Sequence, residues 1–178
     1  MFGNIRPIQI ATMEDCINEP ISFDEANSYW PLSLKADDLF NGNFKLVINS
    51  GAMSQNRKIA VVILYKGERY LMGSLADVPP NSVVTVTWIE GSEPTIREFI
   101  ESMGGTITET ATISFTWEAG YLLTETSFCK MDEIPVSIYV EVPGTDWLTI
   151  AVVGGIIVGA GAIGYSLLKK PAAVKAKA

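Results

Sequence analysis

The 178-residue chain contains no histidine. That removes Ser-His-Asp and Cys-His nucleophile systems, histidine metal ligands and a histidine pH switch. It also carries no P-loop, no dinucleotide-binding glycine pattern, no G-x-S-x-G and no N-x-S/T sequon, which excludes the phosphate cradle, the Rossmann fingerprint and the nucleophile elbow. Carboxylates are the remaining reactive groups, but with twenty acidic residues any pair of them is uninformative. Asp37, Asp38 and Asn41 offer loop oxygens of the kind calcium uses; their spacing is not that of an EF-hand, and Asn41–Gly42 is a turn signal in itself. The expectation is a non-enzymatic protein with no cofactor and no metal.

Cysteine is scarce, with only Cys16 and Cys129, 113 positions apart. Their spacing matches no zinc or redox motif. Two readings stand: a disulfide closing a long loop, or two separate buried thiols acting as small apolar residues.

Charge is missing altogether from one long stretch. Trp147 to Leu168, within WLTIAVVGGIIVGAGAIGYSLLKK, is 22 residues without a charged side chain. As a helix it reaches about 33 Å, against a hydrocarbon core of about 30 Å. It also explains much of the mean hydropathy of +0.24. Trp147 and Tyr165 lie near its ends, where amphipathic rings favour the headgroup level, and Lys169 and Lys170 follow directly. The stretch reads as a single membrane span over 147–168 with a basic tail over 169–178. Within it Ala151, Gly155 and Gly159 recur every fourth residue, with Ala160 and Gly164 on a neighbouring stripe. Small residues so placed let a second helix approach closely, so the expected partners are the bilayer and another helix, of this chain or another.

Residues 1–146 hold nine bases and all twenty acids, a net charge of −11, whereas the last ten residues hold four bases and no acid. So acidic a domain argues against nucleic-acid binding. The N-terminus, MFGNIRPIQIATMEDCINEP, lacks the apolar run of a secretory signal. The positive-inside rule places the lysine tail in the cytoplasm and the large domain outside. The missing signal favours a tail anchor, with the domain in the cytosol or facing a capsid, and that is the expectation adopted.

The soluble part reads as strands. Residues 1–42 show turn-rich, irregular punctuation. From 43 the pattern alternates: Phe44, Leu46 and Ile48 share a face, KIAVVILY (58–65) is a two-sided apolar run, and a tight turn at Lys66–Gly67–Glu68 makes a hairpin. DVPPN (77–81) is a proline turn, followed by Val84, Val86 and Trp88 on one face. Ile96, Phe99, Ile100 and Met103, between Pro94 and Gly104–Gly105, form a short amphipathic helix. The strands then resume: 106–117 with pairing from near Ala111, a turn at Glu118–Ala119–Gly120, a return over 121–129, and an unbroken alternation from Ile134 to Val142. Tyr29, Trp30, Trp88, Trp117 and Tyr121 are expected to fill the core or its ends rather than form a binding platform.

The fold class expected is mainly β: an antiparallel β-sandwich over 43–143, jelly-roll or immunoglobulin-like, with one short helix and strands from 1–42 as allowed additions. LADVPPNSVVTVTW (75–88) is loosely similar to segments of immunoglobulin-like extracellular modules, in turn and strand features too common to identify a family. The leading functional expectation is a membrane-anchored structural protein packed into a larger assembly, a membrane-containing virion being one setting. The alternatives are an accessory subunit of a cellular membrane complex and a cell-surface receptor or adhesin.

Overall fold

A computed structural model describes residues 2–40, 43–86 and 94–143, and residues 1–143 form one compact unit. The expected span, its stripe (Ala151, Gly155, Gly159, Ala160, Gly164) and its interface residues (Trp147, Tyr165, Lys169, Lys170) lie outside the described residues, as do Asn41, Gly42 and Trp88. Among the described residues no helix is long and apolar enough to cross a membrane.

The described chain is mainly β with one short helix. The strands are β1 (Phe2–Pro7), β2 (Gln9–Ile10), β3 (Ser22–Phe23), β4 (Ser33–Lys35), β5 (Leu46–Asn49), β6 (Arg57–Tyr65), β7 (Glu68–Val78) and β8 (Val83–Val86). Helix α1 (Ile96–Ser102) is followed by β9 (Ala111–Thr124) and β10 (Ser127–Glu141). The larger sheet runs β1-β7-β6-β9-β10-β2, with β4 added on β10, and a second sheet runs β3-β5-β8.

Residues 2–40 supply the four short strands β1 to β4, joined by turns and bends. The first strand pairs with β7 as far as Pro7 and then, from Gln9, pairs with β10 at the opposite edge. One segment thereby touches both edges and nearly closes the sheet. Its short, mixed-polarity pieces carry no period-2 signal, because each half is matched to a different neighbour.

The all-antiparallel expectation also fails at two seams, since β2 and β4 both run parallel to β10. For β2 the reason is parity. Five strand positions close the turn, and five alternating directions cannot meet without one parallel seam.

Where local pattern dominates, expectation and structure agree. Residues Lys66 and Gly67, both with positive φ (51° and 86°), make the two-residue turn between β6 and β7, the geometry that matches strand twist. Helix α1 buries Ile96, Phe99 and Ile100; Thr95 caps it in a capping box with Glu98, and Gly104 (φ 73°) ends it. Ile134, Val136, Ile138 and Val140 all turn inward.

The expected turn at Glu118–Ala119–Gly120 does not exist; all three lie inside β9, and the chain reverses at 125–126 instead. Gly120 is there for space rather than for turning. A Cβ at that position would fall 2.0 Å from the Cys129 carbonyl oxygen on β10.

Alternation along β6 feeds two clusters. Ile59, Val61 and Ile63 join the main core with Leu46, Ile48, Phe99, Trp117 and Tyr121, which draws on both sheets and the helix. Ala60 and Val62 face the other way and pack with Leu71 of β7, Leu122 of β9, Phe128 of β10 and Ile8, which lies between β1 and β2. Trp117 and Tyr121 are buried, Trp30 packs partly buried against the main core, and Tyr29 is exposed and bridged to Lys45.

Candidate interaction surface

Residues 11–21 form a strap that crosses β9, β10 and the start of β6. It is tied down at four places. The Ala11 amide donates to the Phe128 carbonyl at 2.8 Å. Cys16 is bonded to Cys129, with Cα atoms 5.7 Å apart. The Ile17 amide donates to the Tyr121 hydroxyl at 2.8 Å, and that hydroxyl donates back to the Ile17 carbonyl at 3.1 Å. The Glu19 carboxylate accepts from the Ser54 amide at 2.9 Å and from Arg57 Nη2 at 2.7 Å. Just past the strap, the Phe23 amide donates to Asp132 Oδ2 at 2.7 Å.

Glu19 is buried, and burial alone would raise its pKa. Hydrogen bonds from the Ser54 hydroxyl and amide and from Arg57 outweigh that and hold the carboxyl below its ordinary value. A depressed folded-state pKa contributes stability above the unfolded value near 4.5 that is lost as pH falls through the folded one. Urea midpoints are therefore expected to fall from about pH 5 downward, and Glu19→Gln to flatten that acid limb. An unchanged slope in the variant would show that Glu19 does not anchor the strap.

Despite these ties, the strap region turns large apolar side chains to water: Met13 is 94% exposed, Ile17 54% and Ile10 46%. Single exposed apolar residues are ordinary, but three within eight positions of a firmly held segment form a patch. Beside them runs an open groove of about 520 Å³ lined by Ile10, Met13, Cys16, Lys130 and Met131. The size suits a small molecule as well as a side chain, but the lining is mostly apolar, with Lys130 as its one charged group. Glu14 and Asp15 stand exposed on the same strap. Among the described residues no group of three or more His, Cys, Asp or Glu could hold a metal ion. Asp38 accepts from the Lys35 amide at 2.8 Å as a turn, and Asp37 pairs with Arg97 at 3.3 Å.

Of the residues singled out from sequence, the structure brings together Cys16 and Cys129, and around them the patch forms. Ile10, Met13 and Ile17 were not singled out. They fall at i, i+3 and i+7, a helical spacing, yet the segment forms no helix and the three side chains are left exposed. No protein-family model matches this chain, and no curated protein is significantly similar to it.

Proposed function

We propose that this protein is a membrane-anchored, non-enzymatic assembly module: a sandwich-like β domain held at a bilayer by a span over 147–168 and packed into a larger structure. The observation that carries the reading is the uncharged 22-residue stretch that begins four residues after the compact unit ends at Pro143. The glycine and alanine stripe within it supports close packing against another helix.

The bonded cysteines support a second reading of sidedness. Disulfides persist in oxidising surroundings such as the exterior, the periplasm or a virion surface. The lysine tail favours the cytoplasmic side of a bilayer. Together they support an outward-facing domain, as a surface module would have, over a cytosolic placement.

Carbonate extraction tests the anchor. The full chain is expected to stay with the membrane pellet. Ile157→Arg combined with Val158→Arg, at about 2.5–3.5 kcal/mol per arginine at a span centre, is expected to release it. Extraction of the unaltered chain would rule the anchor out. Protease shaving of intact cells or particles, with alkylation of Cys16 and Cys129 before and after reduction, reads sidedness in the same samples.

A further inference from the structure

Strand β8 ends the smaller sheet, and its outer side is open among the described residues. Hydrogen bonding in β5 fixes which groups lie on that side. Val47 turns its backbone away from β8: its carbonyl accepts from the Asp24 amide at 2.8 Å, and its amide donates to the Ser28 hydroxyl at 2.9 Å. Val47 lies opposite Thr85, and Asn49, two residues on, lies opposite Val83. Bonded and non-bonded pairs alternate in an antiparallel ladder. Val83 and Thr85 therefore direct both N–H and C=O to the open side, where both residues are exposed, Val83 to 66%. Other edges are guarded. The Phe23 amide of β3 is taken by Asp132, and β4 carries Lys35 and follows Pro31. Between its seams with β2 and β4, β10 carries Asp132, Glu133 and Pro135. Charges and prolines of this kind keep edge strands from pairing. Val83–Val86 has neither.

We propose that β8 is a contact between two copies of the chain, paired antiparallel and edge to edge across a two-fold axis, which joins the two smaller sheets into one. A two-fold contact requires the edge to complement itself, and the register of β8 does. Centring the pair on Val84 sets Val83 of each copy opposite Thr85 of the other, so that every outward N–H meets an outward C=O. The side chains brought together are valine and threonine, β-branched residues that pack well as cross-strand neighbours. Charge favours a second copy at this edge in particular. Residues 1–146 carry −11, so two copies repel, and an uncharged edge is where they approach at least cost. The proposal deepens the anchored-assembly reading and rests on it in one respect: anchoring confines copies to a plane, which raises their effective concentration.

The test uses the full chain in two differently tagged forms, reconstituted together into phosphatidylcholine vesicles and mildly oxidised. With Val84→Cys in both forms, a disulfide between the tags is expected. With Val83→Cys in both, little is expected, because residues 83 of the two copies lie diagonally about 9 Å apart, beyond the reach of about 7 Å for a disulfide. Val83→Cys in one form with Thr85→Cys in the other is expected to restore the link. Thr85→Pro removes an amide that faces outward, so no bond within the chain is lost. Added to Val84→Cys, it is expected to lower the yield about tenfold through the two bonds lost at the seam and to keep the thermal midpoint. Val83→Glu, at an exposed position, is the second variant and is expected to lower the yield several-fold in low salt. The proposal is overturned by no link at Val84→Cys, by equal yields for the Val84→Cys and Val83→Cys pairs, or by a Val84→Cys link that both variants leave unchanged. Flotation of the same vesicles separates the two readings. Failure to float with the register-specific link retained sinks the anchor alone, whereas flotation without the link sinks the contact alone.

Discussion

Arg69→Met is expected to lower the free energy of unfolding by about 3–5 kcal/mol. Its partner Glu118 has no exposed side-chain surface, and the two groups meet in a forked pair, Nε to Oε2 at 2.9 Å and Nη2 to Oε1 at 3.1 Å. Register explains why they meet. Glu118 on β9 lies opposite Val62 on β6, and Leu64 on β6 lies opposite Arg69 on β7, so both charged groups share the face of the smaller cluster. Removing the guanidinium leaves a carboxylate walled in by apolar side chains, with Lys130 Nζ 3.9 Å away as the remaining cation. That lysine already pairs with Glu133 at 2.8 Å, so its rescue is partial and places the loss toward the lower end of the range.

Replacing both members of a buried pair by apolar groups is far less costly than removing one. Arg69→Met with Glu118→Leu is therefore expected to recover most of the loss, which urea denaturation of the four forms would measure as a coupling energy. Arg6, paired with the exposed Glu125, serves as a surface control, where truncation is expected to cost under about 1 kcal/mol. A loss at Arg69 no larger than that control would show that water reaches Glu118 in solution.

Removal of the disulfide is the second large effect. Cys16→Ala with Cys129→Ala opens a link across 113 residues, and the loop-entropy model gives about 4–5 kcal/mol for a closure of that length. Against a total stability of about 5–15 kcal/mol this is a large fraction. The effect is expected to act through the unfolded chain. In the folded protein the strap keeps its ties to Tyr121, to Ser54 and Arg57, and to β10. Native-state hydrogen exchange at the Ile17 amide should therefore weaken only as global stability falls. Local loss of protection there, with global stability preserved, would instead make the disulfide the strap's main tether.

How much of this was legible beforehand differs from element to element. The alternation over Ile134–Val140 and the two-sided run of β6 show their faces directly, because burial acts on each strand wherever its neighbours lie. Helix α1 was legible for the same reason, its apolar positions spaced for one face and its end marked by glycine. The Glu118–Ala119–Gly120 stretch was misread because an acid followed by a glycine carries the composition of a turn. Only the facing Cys129 carbonyl shows that the glycine makes room, and only Arg69, two strands away, shows how the acid can be buried. Met13 and Ile17 were invisible because exposure of a side chain is a property of what fails to cover it.

What the sequence by itself determined is which residues face inward in the long strands and the helix, together with the uncharged stretch at 147–168 and the lysines that follow. These follow from periods and runs that any neighbours would satisfy. Tertiary structure alone decided that β1 and β2 span both edges of one sheet, that a five-position closure needs a parallel seam, and that Cys16 meets Cys129. It also decided that a tied-down strap leaves Met13 in water. Each of these depends on which distant segments share space, and pairing across 100 residues leaves no local period from which to read it.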